Sequence, residues 1–546
     1  MSPFVLAVSG AATLVVVHGA VAQATLSAGP SSSATPYVVP APGSDVVTDI
    51  VSIITVGDSV GGYVMAGIPD GLGAIGAGPG AMTLLNNHEF TPTAGGVQHA
   101  FQPGGVAGGS YVSSWHILTA PGPDFLRVDA GAELIQSVHT LTNGTGGSLF
   151  AFGRFCSADL APASALFNAA TGKGSTHRFF TTGEENGTPG RMTATDLSTG
   201  ELWQLPAFDP LQGGWENGLC RPYQSDATVM VATSDGGANR VFVYVGAKQD
   251  TGSEVERAGL MNGAGYGIQV QVGGVDVAAE TREFGFGSGT MVLDGTFTLA
   301  PAGTAAGTTF LRPEDGAWDP TDPAVFYFVT TDRMSTTAGG APQTHASRLW
   351  KLTFSDVQNV LAGGTIENLL DGSDVMEMGD NLCAFADLQG GTRLLIQEDP
   401  GNHPHSAKTL LYTVATGELQ VILQSDPSRF GNVGVPATAP FNQDEENSGV
   451  IDARETLGLG WFIATSQAHY GLPSPLVEGG QLYAFFAPEA VGSSRADLST
   501  PLDGTVDGAD LAVLLGAWGT AGRADINRDG VTDGQDLAIL FGSWGS

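Results

Sequence analysis

Positive charge is what this chain lacks most. It carries 21 Lys and Arg against 55 Asp and Glu, a net charge of −34. Binding a nucleic-acid backbone needs clustered Lys and Arg, so this balance excludes a nucleic-acid partner. Charge of either sign is sparse, at 14% of residues, while 42% are apolar; disordered chains show the opposite balance. Cysteine is rare: Cys156, Cys220 and Cys383. An odd count leaves one thiol without an intramolecular partner, and a Cys220–Cys383 disulfide stays open. Amphipathic helical patterns are scarce, and no Gly-x-Ser-x-Gly elbow occurs, which removes one route to a serine hydrolase.

Long apolar runs are confined to the start. Residues 4–22 are mostly apolar, and Ala20-Val-Ala22 or Ala22-Gln-Ala24 offers a small-residue cleavage site. Residues 1–24 therefore read as a secretory signal, despite the missing Lys or Arg in front. No later stretch approaches a membrane span. The expected location is secreted, periplasmic or cell-surface. Residues 25–45, rich in Ser, Ala, Pro and Gly, read as a flexible leader.

From 46 to 488 the pattern is short β-runs divided by Gly, Asp, Asn and Pro, as in Val325-Phe-Tyr-Phe-Val-Thr330 and Trp461-Phe-Ile-Ala-Thr465. Weak repeats point to a mainly β fold, a β-propeller of five to seven blades. Thr195-Asp-Leu-Ser-Thr-Gly-Glu-Leu-Trp-Gln-Leu205 matches Tyr412-Thr-Val-Ala-Thr-Gly-Glu-Leu-Gln-Val-Ile422, each a strand, tight turn and strand. Arg240-Val-Phe-Val-Tyr and Arg348-Leu-Trp-Lys-Leu look like related strands. Residues 489–498 read as a short linker to a small α-helical module ending at 546.

That module writes one pattern twice. Asp525, Asn527, Asp529, Asp533 and Asp536 place side-chain oxygens at positions 1, 3, 5, 9 and 12 of a calcium loop. Val531 offers its backbone at position 7, and Gly530 makes the sharp turn. In the first copy Asp503, Asp507 and Asp510 fill positions 5, 9 and 12. Counting back from Asp510 puts Ser499 and Pro501 at positions 1 and 3, unless a two-residue insertion brings Asp497 into place. An apolar helix follows each loop, with Leu511, Leu514 and Leu515 in one and Leu537, Leu540 and Phe541 in the other. The pair resembles a dockerin-type, EF-hand-like module. The resemblance implies calcium binding and a cohesin-like or cell-surface partner.

Acidic and polar residues recur at strand ends of the large domain. They are Asn87-His88-Glu89, Glu184-Glu185-Asn186, Trp215-Glu216-Asn217, Arg312-Pro-Glu314-Asp315, Gly379-Asp380-Asn381 and Gln397-Glu398-Asp399. Converging carboxylates raise one another's pKa unless cations neutralise them. Oxygens suit calcium, and a thiolate such as Cys156 shifts one position towards a transition metal.

Several segments resemble PhoX-type alkaline phosphatases. Gly62-Tyr-Val-Met-Ala-Gly-Ile-Pro-Asp70-Gly-Leu-Gly and Leu85-Asn-Asn-His-Glu-Phe90 resemble that family's opening. Cys156 with Ala161-Pro162 and Gly183-Glu-Glu-Asn186 resembles its cysteine and paired-glutamate segment. Phe310-Leu-Arg-Pro-Glu-Asp-Gly-Ala-Trp-Asp319 resembles its Arg-Pro-Glu segment, and Asp380-Asn381 and Glu398-Asp399 follow in order. The resemblance implies a secreted propeller with a calcium and iron cluster that hydrolyses phosphate monoesters. It implies Cys156, Glu184, Glu216, Glu314, Asp380, Asn381 and Asp399 as metal ligands. Arg312 becomes the phosphate clamp and Asn87 a second phosphate contact. Three features depart from the family: Ala161-Pro-Ala-Ser-Ala-Leu166 after the cysteine, Trp215 before Glu216, and no twin arginine in the leader.

The rival expectation is a non-catalytic propeller that keeps calcium for stability, binds a surface partner or polysaccharide, and is docked into an assembly by its tail. Other motifs read as local structure. Gly71-Leu-Gly-Ala-Ile-Gly76 is expected to be a turn rather than a dinucleotide fingerprint. Asn143-Gly-Thr and Asn186-Gly-Thr read as tight turns, and His403 and His405 as an exposed loop.

Overall fold

Runs of Val, Ile, Phe and Tyr only a strand long bury their faces by stacking sheets on sheets. A computed structural model describes residues 24–92, 109–139, 151–185, 190–211, 213–301, 306–332, 347–527 and 529–546. The apolar segment 4–22, Asn143 and Asn186 lie outside these. The described strands form six antiparallel blades. Their innermost strands are Pro69–Gly76, Phe155–Leu160, Asn217–Cys220, Pro313–Trp318, Gly379–Ala386 and Glu445–Asp452. Each neighbours the next, and the sixth returns to the first, so the ring closes as a β-propeller. In the third and fourth blades, the outer strands Ala264–Val272 and Gly364–Leu370 share a bridging strand, Gly295–Pro301.

The sequence repeats fall at matching places. Thr195–Leu205 and Tyr412–Ile422 span the outer hairpins of the second and fifth blades. Arg240 and Arg348 begin or enter the third strands of the third and fourth blades. Gly71 and Gly73 are not in a turn; they lie in the first inner strand. A Cβ at Gly71 would sit 2.4 Å from the Ala158 nitrogen, and one at Gly73 2.9 Å from the Leu160 Cβ. Glycine is needed there because neighbouring inner strands approach backbone to backbone.

The sixth blade joins the two ends of the domain. Asp49–Thr55 pairs antiparallel with Glu478–Phe486, which pairs with Trp461–Gly471, which in turn pairs with the inner strand Glu445–Asp452. Two expected boundaries change. The 25–45 leader is not loose: Thr25–Ala28 adds a parallel edge strand to the sixth blade, and Val38–Pro40 an edge strand to the fifth. The 489–498 linker begins with a 3-10 turn whose Ala490 and Val491 are buried in the propeller core. In each case apolar side chains gain burial that a free segment would forgo. Among the described residues no helix is long and apolar enough to cross a membrane.

The tail consists of two helices, Gly508–Gly516 and Gly534–Gly542, around a small core of Leu498, Val506, Leu514, Ile526 and Leu540. It rests on the sixth blade. Leu502 joins the propeller core, and the Arg523 guanidinium lies 4.5 Å from the Phe486 ring centre.

Candidate metal centre

Each inner strand presents one ligand-type residue at the same place. Asp70, Cys156, Glu314, Asp380 and Glu446 are the second residues of their strands, and Glu216 immediately precedes Asn217–Cys220. In four blades the pairing register shifts there, between 69 and 72, 155 and 158, 313 and 316, and 379 and 382. A bulge re-aims the side chain it carries. Two residues upstream the backbone turns left-handed at Ile68, Arg154, Arg312 and Met378, with φ of 49°, 48°, 42° and 54°. Non-glycine residues adopt this conformation at a cost, on the order of 1–3 kcal/mol each, which the surrounding sheet sustains.

A second layer comes from the strand beside each inner strand. Antiparallel pairing brings its end next to the inner strand's start. The residues just past those ends are Glu89, Glu185, Asp235, Asp332 and Asp399. Four linked groups result, each with its ligand atoms within 4.8 Å of one another. They are Asp70, Glu89 and Cys156; Cys156, Glu185 and Glu216; Glu216, Glu314 and Asp380; and Asp380, Asp399 and Glu446. Cys156, Glu216 and Asp380 each belong to two groups.

Eight carboxylates and a thiol, all buried except the part-exposed Asp399, thus meet in one array. Two arginines contact it. Arg154 reaches Glu89 at 2.6 Å and Glu185 at 2.8 Å; Arg312 reaches Asp235 at 2.8 Å and Glu314 at 3.0 Å. Burial, reinforced by neighbouring acids, pushes Glu185, Glu216, Glu314, Asp380 and Glu446 well above the usual carboxylate range, and Asp70 to about 7. Burial and the same acids raise the Cys156 thiol, whose Sγ lies 3.1 Å from Asp70 Oδ2. Among the described residues, the buried Glu446 Oε1 has no hydrogen-bond partner. Such an array must hold protons or cations. Its oxygen-rich set with one sulfur fits hard cations, plus one site accessible to a softer metal.

Polar side chains fix the floor. Ser157 Oγ donates to Glu216 Oε1 at 2.5 Å, Asn217 Nδ2 to Asp315 Oδ1 at 2.7 Å, and the Gly449 N–H to Asn381 Oδ1 at 2.7 Å. Beyond the floor the channel continues as a cavity of about 360 Å³ lined by all six inner strands, including Cys220 and Cys383. All three cysteines are free thiols, so the open Cys220–Cys383 pairing is not made.

Of the residues expected from sequence, Cys156, Glu216, Glu314, Asp380 and Asp399 enter the groups. Glu184 does not: its Oε2 accepts from Arg191 Nη1 at 2.8 Å, and its neighbour Glu185 faces the array instead. Successive strand residues point to opposite faces, and only one can face the channel. Asn381 spends its oxygen on Gly449. Asn87 is fully buried, and its amide donates to the Cys156 carbonyl at 2.8 Å and Thr182 Oγ1 at 2.8 Å. It braces the thiol's strand. His405 is not in an exposed loop: it bonds Glu377 at 2.9 Å and Glu398 at 3.1 Å. Asp70, Glu89, Glu185 and Glu446 are the additions. The Glu-Asn of Glu216-Asn217, the Asp-Asn of Asp380-Asn381 and Glu446-Asn447 share one pattern, a signal that would have found Glu446.

The tail's acids face backbone N–H groups. Asp525 accepts from Asp529 and Gly530, and Asp529 from Val531. Asn527 Oδ1 accepts the Asp529 N–H, and Asp503 accepts from Thr505. Asp507 and Asp533 cap the helices in capping boxes with Asp510 and Asp536. Asp497 accepts the Gly504 N–H as Asp525 accepts that of Gly530. The two-residue insertion therefore does bring Asp497 to the start of the first loop. Leu515 and Phe541, expected on the apolar side with Leu514 and Leu540, are half exposed, while those two are buried.

No family model and no curated protein sequence matches the chain. Solved structures do. PhoX of Pseudomonas fluorescens, in complex with vanadate, a transition state analogue, matches with a TM-score of 0.50 at 11% identity, over 86% of this chain and 98% of that one. The α-L-arabinofuranosidase Arb93A of Fusarium graminearum matches at 0.38 and 8% identity, over 78% and 95%. A protein of unknown function from Dyadobacter fermentans matches at 0.37 and 9%, over 77% and 94%. At these identities the likeness to PhoX is one of fold, a β-propeller.

Proposed function

We propose that this chain is a PhoX-like, metal-dependent phosphatase that hydrolyses phosphate monoesters outside the cytoplasm. The observation that carries the reading is the row of four linked ligand groups with arginines at its edge. Asp70, Glu89, Cys156, Glu185, Glu216, Glu314, Asp380, Asp399 and Glu446 would hold the metals, calcium at the oxygen-only groups and iron beside Cys156. Such metals polarise phosphoryl oxygens and lower the charge that an attacking oxygen must approach.

The chain's own residues do the rest. Arg312 is anchored through Nε and Nη2 on Asp235 and Glu314, which fixes its fork beside the array. A fixed guanidinium meets phosphate oxygens without reordering. Asn87 holds the strand that presents Cys156.

Protein loaded with calcium and iron should cleave p-nitrophenyl phosphate, and a chelator should stop it. Arg312→Lys keeps charge but loses the fork and should slow turnover. Arg312→Ala should cost more, on the order of 2–5 kcal/mol in transition-state stabilisation. A fully metallated wild type inert on every phosphomonoester tried would replace this reading with a non-catalytic propeller.

For the tail, we propose a calcium-binding, dockerin-like docking function. Leu515 and Trp518 in the first repeat and Phe541 and Trp544 in the second are each about half exposed, at equivalent positions. A paired apolar face on a small helical module favours a cohesin-like or cell-surface partner.

A further inference from the structure

Arg154 and Arg312 are built alike. Each lies at a left-handed backbone position two residues before a ligand-type residue, Cys156 or Glu314. Each spends its Nε and Nη2 on buried carboxylates: Glu89 and Glu185 for Arg154, Asp235 and Glu314 for Arg312. In each, Nη1 has no hydrogen-bond partner among the described residues. The side chains are 45% and 40% exposed, whereas the carboxylates they grip are 7% exposed or less. Both guanidinium groups therefore present an outer N–H edge at the border of the array and solvent.

They stand on two sides of the third blade's rim. Arg154 bonds Glu185, whose carbonyl lies beside Gly214 and Gly236; Asp235, next to Gly236, bonds Arg312. Gly214 and Gly236 are joined by a 2.7 Å backbone hydrogen bond and, as glycines, add no side chain there.

We infer that Arg154 is a second anion contact, and that the two arginines together select a phosphate monoester dianion over a diester. This inference rests on the phosphatase reading. A monoester presents three non-bridging oxygens and close to two charges at neutral pH. A diester presents two such oxygens and one charge. Two outer guanidinium edges match the first set, and one edge suffices for the second.

The test uses full-length, metal-loaded protein with Arg154→Lys and Arg154→Met, metal content measured throughout. Inorganic phosphate binding is followed by calorimetry, and hydrolysis of p-nitrophenyl phosphate is compared with that of bis-p-nitrophenyl phosphate. Arg154→Lys should retain metal, weaken phosphate binding about 10- to 100-fold, the ratio a charged hydrogen bond carries, raise KM more than it lowers kcat, and reduce the preference for monoester. Unchanged phosphate affinity in Arg154→Lys and Arg154→Met would overturn the inference whatever the turnover. A wild type that binds phosphate through Arg154 but turns nothing over would sink the phosphatase reading and keep the anion site. A wild type that binds no phosphate would overturn both.

Discussion

The channel array and the tail are both crowded with carboxylates, yet they satisfy them in opposite ways. In the tail, Asp525, Asp497, Asp510 and Asp536 each accept two or more hydrogen bonds, mainly from backbone N–H groups of their own loop. In the channel, acids face other acids with ligand atoms within 4.8 Å of one another, and among the described residues Arg154 and Arg312 form the ion pairs to them. The tail's acids thus meet their loop's own amides, whereas the channel's acids meet one another. Equal crowding of acids thus goes with different surroundings, and burial and the nature of the partners set how far each carboxylate's charge is opposed.

The largest expected contrast is in metal retention. Glu216 belongs to two groups, so Glu216→Ala should leave both incomplete. The variant is expected to lose most of its propeller-bound metal and at least 100-fold in phosphomonoesterase rate, on the order of 3 kcal/mol or more. Asp529→Ala, in the tail, should lower tail calcium and leave turnover unchanged. Elemental analysis beside a rate assay checks both; equal losses from the two variants would erase the distinction between the regions.

Next comes pH. Burial lifts Asp70 and Asp315 each to about 7. The folded chain then binds these protons more tightly than the unfolded one. The stability this contributes is complete below about pH 4 and lost as pH rises through about 7. Cation-stripped protein should therefore melt at lower temperature near pH 8 than near pH 5, and added calcium should restore the loss at the higher pH. A flat melting profile in the stripped protein would show that the array is neutralised by something other than protons or cations.

The smallest effect belongs to the tail. Asp510→Ala removes the acceptor for Leu498 and Ser499 and the reciprocal arm of the capping box. It should destabilise the helix Gly508–Gly516 by about 1–3 kcal/mol, read as faster amide exchange there, with propeller amides unaffected. Exchange that speeds up across the sixth blade as well would mean that tail and propeller unfold together through Leu502 and Arg523.

The repeated Thr-Gly hairpins carried the propeller, because a tight turn between β-runs is a local property. The clusters at 216, 314, 380 and 399 were legible for a similar reason: an acid beside Asn, Asp or Pro at a strand end breaks the apolar alternation. Glu184 and Glu185 were not separable, since which of two adjacent acids faces the channel depends on strand register. Asp70 stood just before Gly71–Gly76, a run that reads as a turn until the neighbouring strand is in place.

By itself the sequence determined the strand-and-turn grammar, the acid-rich strand ends and the twice-written tail, all set by residues close together in the chain. Only the tertiary structure decided the rest: six blades, an ordered 25–45 segment, Arg154 gripping Glu89 and Glu185, and Glu446 meeting Asp380. Those pairings join residues far apart in sequence, and the closing of the ring alone brings their charges within reach of one another.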